Sequence, residues 1–157
     1  MCWATRQPPG TWHIPELHLA ALAADPRAVP IGDGALVAPG ISAVATPGHT
    51  PGHTAYVVRN ERGGDAIFAG ESVKNLAELV TGVADMTLDQ EQSRASIARV
   101  RSLFEEGAGN VMYCGHDAPL IRAGGPIRRE RPLRAGIVAR VDERSPGGLT
   151  HHDLAGP

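Results

Sequence analysis

Three polar side chains that can bind metals follow apolar runs typical of β-strands. His49 follows ISAVATPG, Glu71 follows AIFAG and His116 follows VMYCG. Because the loop at the end of a rigid strand is where a sheet presents functional groups, neighbouring strand ends could bring two imidazoles and a carboxylate to one point. Imidazole nitrogen and carboxylate oxygen are normal ligands of zinc and other divalent first-row metals. The pattern therefore predicts a metal site made by these three residues.

The segment TPGHTPGH, residues 46–53, repeats one phrase and flanks His49 with Pro-Gly steps. Such steps would fix the backbone of His49 and let the chain approach an ion closely. The alternative is a solvated histidine in an ordinary turn. His53 could orient its neighbours through a hydrogen bond, or simply begin the next strand, and we do not assign it to the metal.

Other polar residues near these positions have two interpretations each. Glu71 could cap the helix predicted from SVKNLAELV or lie in its first turn, where the helix dipole favours an acid. Lys74 and Asn75 could face a substrate or form a solvated first turn of that helix. Asp117 could support His116 through a hydrogen bond or serve as a turn residue.

Hydrophobic periodicity and turn residues predict the elements that position these groups. Residues 15–24 are typical of a short helix, and residues 35–70 of a β-meander with a turn at Pro39-Gly40. Residues 89–107 form the clearest helical pattern, with Asp89 as its N-cap. NVMYCG predicts a buried strand that leads to His116. The later run LRAGIVARV fits a helix or a strand.

Composition excludes several functional classes. A chain of 157 residues with 42% hydrophobic content predicts one globular domain, and with 4% aromatics the core must be mainly aliphatic. A net charge of −2 offers no basis for nucleic-acid or membrane binding. No apolar stretch approaches the roughly 18 residues of a membrane span, so we expect a cytoplasmic protein. Cys2 and Cys114 make neither a disulfide framework nor a zinc knuckle, and Cys114 is interpreted as a small strand residue rather than a reactive thiol.

The segments TPGHTPGHTAYVV, AIFAGES and VMYCGHD, in this order, resemble the metallo-β-lactamase fold superfamily, in particular hydroxyacylglutathione hydrolases and acyl-homoserine lactonases. The resemblance covers residues 30–122. It implies an α/β (α+β) fold class, with a partial αββα sandwich made mainly of its C-terminal half. We expect 1–157 to form a single domain with a metallo-β-lactamase-like core at 30–122. Residues 126–157 are expected to form an arginine-rich, partly flexible C-terminal extension.

The resemblance also implies roles for the candidate ligands. His49 would bind the first metal, Glu71 would bridge two metals and His116 would bind the second. The implied cofactor is zinc, as one or two divalent metals, with iron or manganese as alternatives. The implied reaction is attack of a metal-held hydroxide on an ester, thioester, amide, lactone or phosphoester of a small-molecule substrate.

Two departures from the family pattern stand out. The motif His-x-His-x-Asp-His, which supplies most of the first metal site, does not occur, and only 48 residues precede His49. The family's general acid or base would be the Asp of that motif, so no catalytic residue is named here. Glu71 also stands where the family usually has Asp, and its extra methylene extends the carboxylate by roughly 1.5 Å.

These departures leave three interpretations of the chain. It is a fragment or truncated form of a metal-dependent hydrolase, a catalytically silent half-fold used for oligomerisation or interaction, or a mononuclear metal-binding protein. We favour the first, because the motif series makes sense only as descent from an enzyme. Since the meander is apolar on both faces in places, we also expect the isolated chain to form a homo-oligomer or to aggregate.

Overall fold

A seven-stranded sheet carries two helices against one of its faces. The computed structural model describes residues 16–122, 124–131, 134–140 and 149–155, with side chains for 20–122 and 124–131. The elements of this region, in chain order, are α1 (Glu16–Ala24), β1 (Leu36–Ala38), β2 (Ile41–Ala45), β3 (Thr54–Val58), β4 (Ala66–Gly70), α2 (Leu76–Thr81), α3 (Gln90–Glu106), β5 (Val111–Cys114), β6 (Leu120–Ile121) and β7 (Arg128–Arg129). Two further strands, β8 (Arg134–Arg140) and β9 (Leu149–Ala155), pair antiparallel as a separate two-stranded sheet.

The strands of the large sheet lie in chain order, and only one neighbouring pair is parallel. β4 and β5 run in the same direction, and the chain between them forms α2 and α3. All other pairs are antiparallel. As a result β2, β4 and β5 run in the same direction, and their C-terminal ends lie at the same edge of the sheet as the start of β3. We call this edge the histidine edge, because the segments that carry His49, His53 and His116 lie there.

The core lies between the helices and one face of the sheet. Alternate residues of each strand point toward the helices, as the period of two requires. The buried apolar side chains of this core from the strands are Val44, Ala55, Val57, Ile67, Ala69, Met112 and Leu120, and those from the two helices are Leu79, Ile97, Val100 and Phe104. Phe104 is the one aromatic side chain in this cluster, so the prediction of a mainly aliphatic core is confirmed for the described residues.

Helix α3 forms where its sequence predicts it. Ile97, Val100 and Phe104 recur at helical spacing and are all buried. The Asp89 carboxylate accepts a hydrogen bond from the backbone N–H of Gln92 at 2.9 Å, which satisfies a donor that the first turn leaves without a partner. The meander and the turn at Pro39-Gly40 are also confirmed. The strand before His116 forms as predicted, but it is only partly buried, because Met112 is its one buried side chain. Within the run LRAGIVARV, Arg134–Arg140 forms a strand, β8, rather than a helix.

The opposite face of the sheet exposes aromatic side chains. Tyr56, Phe68 and Tyr113 are cross-strand neighbours on β3, β4 and β5, and we call them the aromatic row. The rings of Phe68 and Tyr113 stack at a centroid distance of 4.7 Å, yet these side chains are 44% and 41% exposed.

No helix in the described part of the chain has the length and apolar character needed to cross a bilayer.

We expect the purified chain to self-associate through the aromatic row, because an exposed contiguous apolar face favours burial against another surface. Static light scattering should show a species larger than a monomer, and Phe68→Glu should shift it toward the monomer. Val80→Glu, at a side chain on α2 that is 57% exposed, is the matched control and should leave the mass unchanged. A stable, monodisperse monomer of the unmodified chain would contradict the prediction.

Candidate metal site

Parallel pairing of β4 and β5 brings Glu71 and His116 into contact at the histidine edge. Gly70 is in register with Cys114, so the residues that follow each strand leave the sheet side by side. The Glu71 Oε1 atom lies 2.7 Å from His116 Nε2, and the imidazole is 64% exposed. A Cβ on Gly115 would lie 2.9 Å from Glu71 Oε1, so glycine at this position leaves room for the carboxylate. The pair is therefore close, accessible from solvent and composed of two metal-binding groups.

His53 is held by hydrogen bonds on both ring nitrogens. Its Nε2 accepts the backbone N–H of Glu71 at 3.1 Å, so Nδ1 carries the proton and donates it to Thr46 Oγ1 at 2.7 Å. Burial, followed by the charge of the neighbouring His49, lowers the pKa of His53 from its usual value, and this favours the neutral ring. With no free nitrogen, His53 orients the backbone of Glu71 rather than binding metal, in agreement with the first of the two interpretations of this residue.

His49 faces a different partner. Its Nδ1 lies 3.0 Å from the carbonyl oxygen of Met86 and so donates a hydrogen bond there, which leaves the Nε2 lone pair available. Its ring is 6.3 Å from that of His53, centroid to centroid, and perpendicular to it. A hydrogen bond to one ring nitrogen that frees the other is the usual arrangement of metal-binding histidines.

The three predicted ligands thus share one edge, but the structure brings only Glu71 and His116 into direct contact. Among residues 20–122 and 124–131, no three His, Cys, Asp or Glu side chains form a group that could hold a metal ion. His49, Glu71 and His116 are of the residue types that bind divalent cations. Three ligands are too few to hold a pair of cations. The assignment of His49, Glu71 and His116 as metal ligands stays a prediction.

Lys74 has neither of the two roles that the sequence suggested, and Asn75 lies just before the helix rather than in its first turn. Lys74 is buried, 8% exposed, and paired with Glu78, so it neither lies in a solvated turn nor faces a substrate. Asn75 is the N-cap of α2, where its side chain accepts the backbone N–H of Glu78 at 3.0 Å. The helix therefore begins after Asn75, and Glu71 does not cap it. The spacing of four between the one lysine of the chain and Glu78 was a signal for this pair.

Asp117 fixes the chain just after His116. Its side chain is 1% exposed and accepts hydrogen bonds from Arg129 Nε at 2.7 Å, from the backbone N–H of Leu76 at 3.0 Å and from that of Ala118 at 2.8 Å. Burial raises the pKa of this carboxyl, but the three hydrogen bonds outweigh burial and hold the pKa below its usual value. Asp117 thereby joins the start of α2 and strand β7 to the loop that carries His116.

Two other features do not contribute chemistry to the histidine edge. The pKa of the Cys114 thiol is raised to about 12, first by burial and then by the charges of Asp117 and Glu78, which makes the thiol unreactive at neutral pH. A cavity of about 330 Å³ lies at the opposite end of the strands, where Arg59, Asp65 and Asn110 contribute to its lining.

Comparison with known proteins places this geometry in context. No protein-family model matches the chain. An N-acyl homoserine lactonase from a Bacillus species is 27% identical over 81 residues, which are 52% of this chain and 32% of the lactonase. A crystal structure of an N-acyl homoserine lactone hydrolase, with the product N-hexanoyl-L-homoserine at its catalytic metal centre, matches with a TM-score of 0.50 and 25% identity. That match covers 55% of this chain and 34% of the hydrolase.

A second solved structure, a probable metal-dependent hydrolase from Staphylococcus aureus, shares the fold at a TM-score of 0.54 and 19% identity. It matches over 67% of this chain and 41% of the hydrolase. The chain spans about a third of the length of the lactonases it matches. The seven-stranded sheet with its helices, the motif order and these relatives together identify the chain as carrying part of a metallo-β-lactamase-type fold.

Proposed function

We propose that this chain is part of a metal-dependent hydrolase of the metallo-β-lactamase superfamily, and that His49, Glu71 and His116 are its contribution to the metal ligands. The observation that carries the proposal is the 2.7 Å contact between Glu71 and His116 at the histidine edge. The fold that produces this contact is shared with a lactone hydrolase that has a catalytic metal centre. The remaining ligands belong to the His-x-His-x-Asp-His motif, which this sequence lacks.

A bound divalent cation, for which zinc is our first choice, would lower the pKa of a water molecule toward neutrality and polarise the bond to be cleaved. Two hydrogen bonds position residues of this chain for the cation. The Met86 carbonyl oxygen accepts the hydrogen bond from His49 Nδ1, which leaves the Nε2 lone pair free to bind the cation. His53 Nε2 accepts the backbone N–H of Glu71 and thereby fixes that backbone. The exposure of His116 leaves room for a small substrate with an ester, thioester or lactone bond.

The proposal is tested by metal content and hydrolysis, measured on this chain and on a version extended upstream in the same reading frame. We expect this chain to bind at most one zinc without turnover, and the extended version to bind up to two and to hydrolyse members of an ester and lactone panel. In the extended version His116→Ala should lower kcat/KM at least about 100-fold. Glu105→Gln, in an exposed ion pair on α3, is the control. An extended protein that binds no metal and cleaves nothing would contradict the proposal.

A second candidate is an interaction module without catalysis, and the exposed aromatic row favours it. It predicts no bound metal in either version together with association that depends on Phe68. Metal content therefore separates the two candidates before any substrate is known.

A further inference from the structure

The one lysine of the chain is buried next to the histidine edge. Lys74 is 8% exposed and Glu78 is 4% exposed, with Nζ 3.3 Å from Oε1. A buried carboxylate is costly unless it is paired and hydrogen-bonded. Both oxygens of Glu78 accept hydrogen bonds besides the ion pair, because Oε2 accepts the backbone N–H of Lys74 at 2.7 Å and Oε1 accepts that of Asp85 at 2.8 Å.

The same pair holds the segment that follows α2. The backbone N–H of Asp85 donates to Glu78, and the Asp85 carbonyl accepts a hydrogen bond from Lys74 Nζ. Both backbone groups of Asp85 are therefore bound to the ion pair. We call Lys74, Glu78 and the backbone of Asp85 the lysine clamp.

The clamp ends one residue before the partner of His49. Met86 has φ = 42°, a left-handed conformation that strains a residue with a side chain, and its carbonyl oxygen accepts the hydrogen bond from His49 Nδ1. The Met86 side chain is 76% exposed, so its own packing does not hold this conformation. Two anchors flank it: the clamp at Asp85, and the backbone N–H groups of Leu88 and Asp89, which donate to the Gly48 carbonyl.

Lys74 also contacts a second candidate ligand, His116. Its carbonyl oxygen accepts the backbone N–H of His116 at 2.8 Å. The Lys74 side chain thus fixes the backbone next to Met86, which accepts the hydrogen bond from His49. The Lys74 backbone fixes the position of His116. We propose that Lys74 is a positioning residue that holds the two histidines in fixed relation through the lysine clamp. The inference deepens the proposed function, on which it rests for the role of the histidines.

The test compares Lys74→Met with the unmodified chain, without metal and with zinc. In the metal-free protein, ¹⁵N NMR of the histidine side chains at about pH 8.5, where histidine is ordinarily neutral, reports which nitrogen of His49 carries the proton. His49→Gln identifies the signal. We expect the Nδ1–H form in the unmodified chain and a mixture with the Nε2–H form in Lys74→Met. Zinc affinity, measured by competition with a chromophoric chelator, should fall at least about 10-fold.

The matched control is Val100→Ala, a core change on α3 that lowers stability without touching the clamp. It should leave both readouts unchanged. If Lys74→Met does not fold, the double variant Lys74→Met/Glu78→Leu removes the ion pair and its acceptor without leaving a lone buried carboxylate, and the same changes are expected. A folded clamp variant that keeps the His49 Nδ1–H form would overturn the inference. Absence of zinc binding by the unmodified and extended chains would instead contradict the proposed function, because the NMR result does not depend on metal.

Discussion

Replacing Gly48 with alanine is expected to lower the free energy of unfolding by at least about 3 kcal/mol. Gly48 has φ = 136°, a region that residues with a Cβ rarely adopt. A Cβ built there would lie 2.6 Å from Ser93 Cα and would also overlap the backbone nitrogen of Ser93. Because that backbone belongs to α3, no side-chain rotation relieves the overlap, and the loop or the helix has to move.

The position of Gly48 explains why the substitution should also affect the candidate site. Its carbonyl oxygen accepts the N–H groups of Leu88 and Asp89, and the carbonyl of Pro47 accepts the Ser96 hydroxyl at 2.6 Å. The loop therefore lies directly on the start of α3. Displacement of the loop would move His49 away from Met86, so we expect Gly48→Ala to weaken zinc binding as well.

Gly52, the glycine of the second Thr-Pro-Gly-His phrase, is the matched control. A Cβ there meets nothing within 4 Å, and its φ lies outside the positive range. Gly52→Ala should leave stability unchanged or raise it by up to about 1 kcal/mol, because alanine reduces the entropy of the unfolded chain. Urea unfolding of the two variants gives both values. Equal effects at the two glycines would show that the contact with Ser93 does not determine the loop.

Replacing Asp117 with asparagine is expected to lower the free energy of unfolding by about 2–4 kcal/mol. The neutral amide loses the ion pair with Arg129. It also turns an NH₂ group toward one of the N–H donors that the carboxylate accepts. Asp25→Asn is the control and should leave stability nearly unchanged, since the Asp25–Arg27 pair is exposed and solvent screens it.

The contribution of Asp117 should also depend on pH. Its pKa is lower in the folded than in the unfolded state, so the unfolded state takes up the proton first as the pH falls. The stabilisation is complete above the unfolded pKa of about 3.9 and is lost as the pH falls through the folded value. The stability difference between the unmodified chain and Asp117→Asn should therefore shrink in acid. Parallel curves of stability against pH would contradict this mechanism.

Local sequence patterns determined most of the elements of this protein. The buried stripe Ile97, Val100 and Phe104 with the cap at Asp89 predicted α3, because helix periodicity and capping act over a few residues. Alternation and turn residues in 35–70 predicted the meander for the same reason. The motif order predicted the fold that the relatives share.

Only the tertiary structure decided how the candidate residues meet. Glu71 and His116 touch because β4 and β5 pair in parallel across an intervening helical segment, and a pairing of distant residues leaves no local pattern. The same packing buries Lys74 with Glu78, whereas a lysine before a helix is ordinarily solvated. The sequence by itself therefore determined which residues could bind a metal. The long-range pairing and burial decided which residues position these candidate ligands: His53 holds the backbone of Glu71, and Lys74 is the residue proposed to hold His49 and His116.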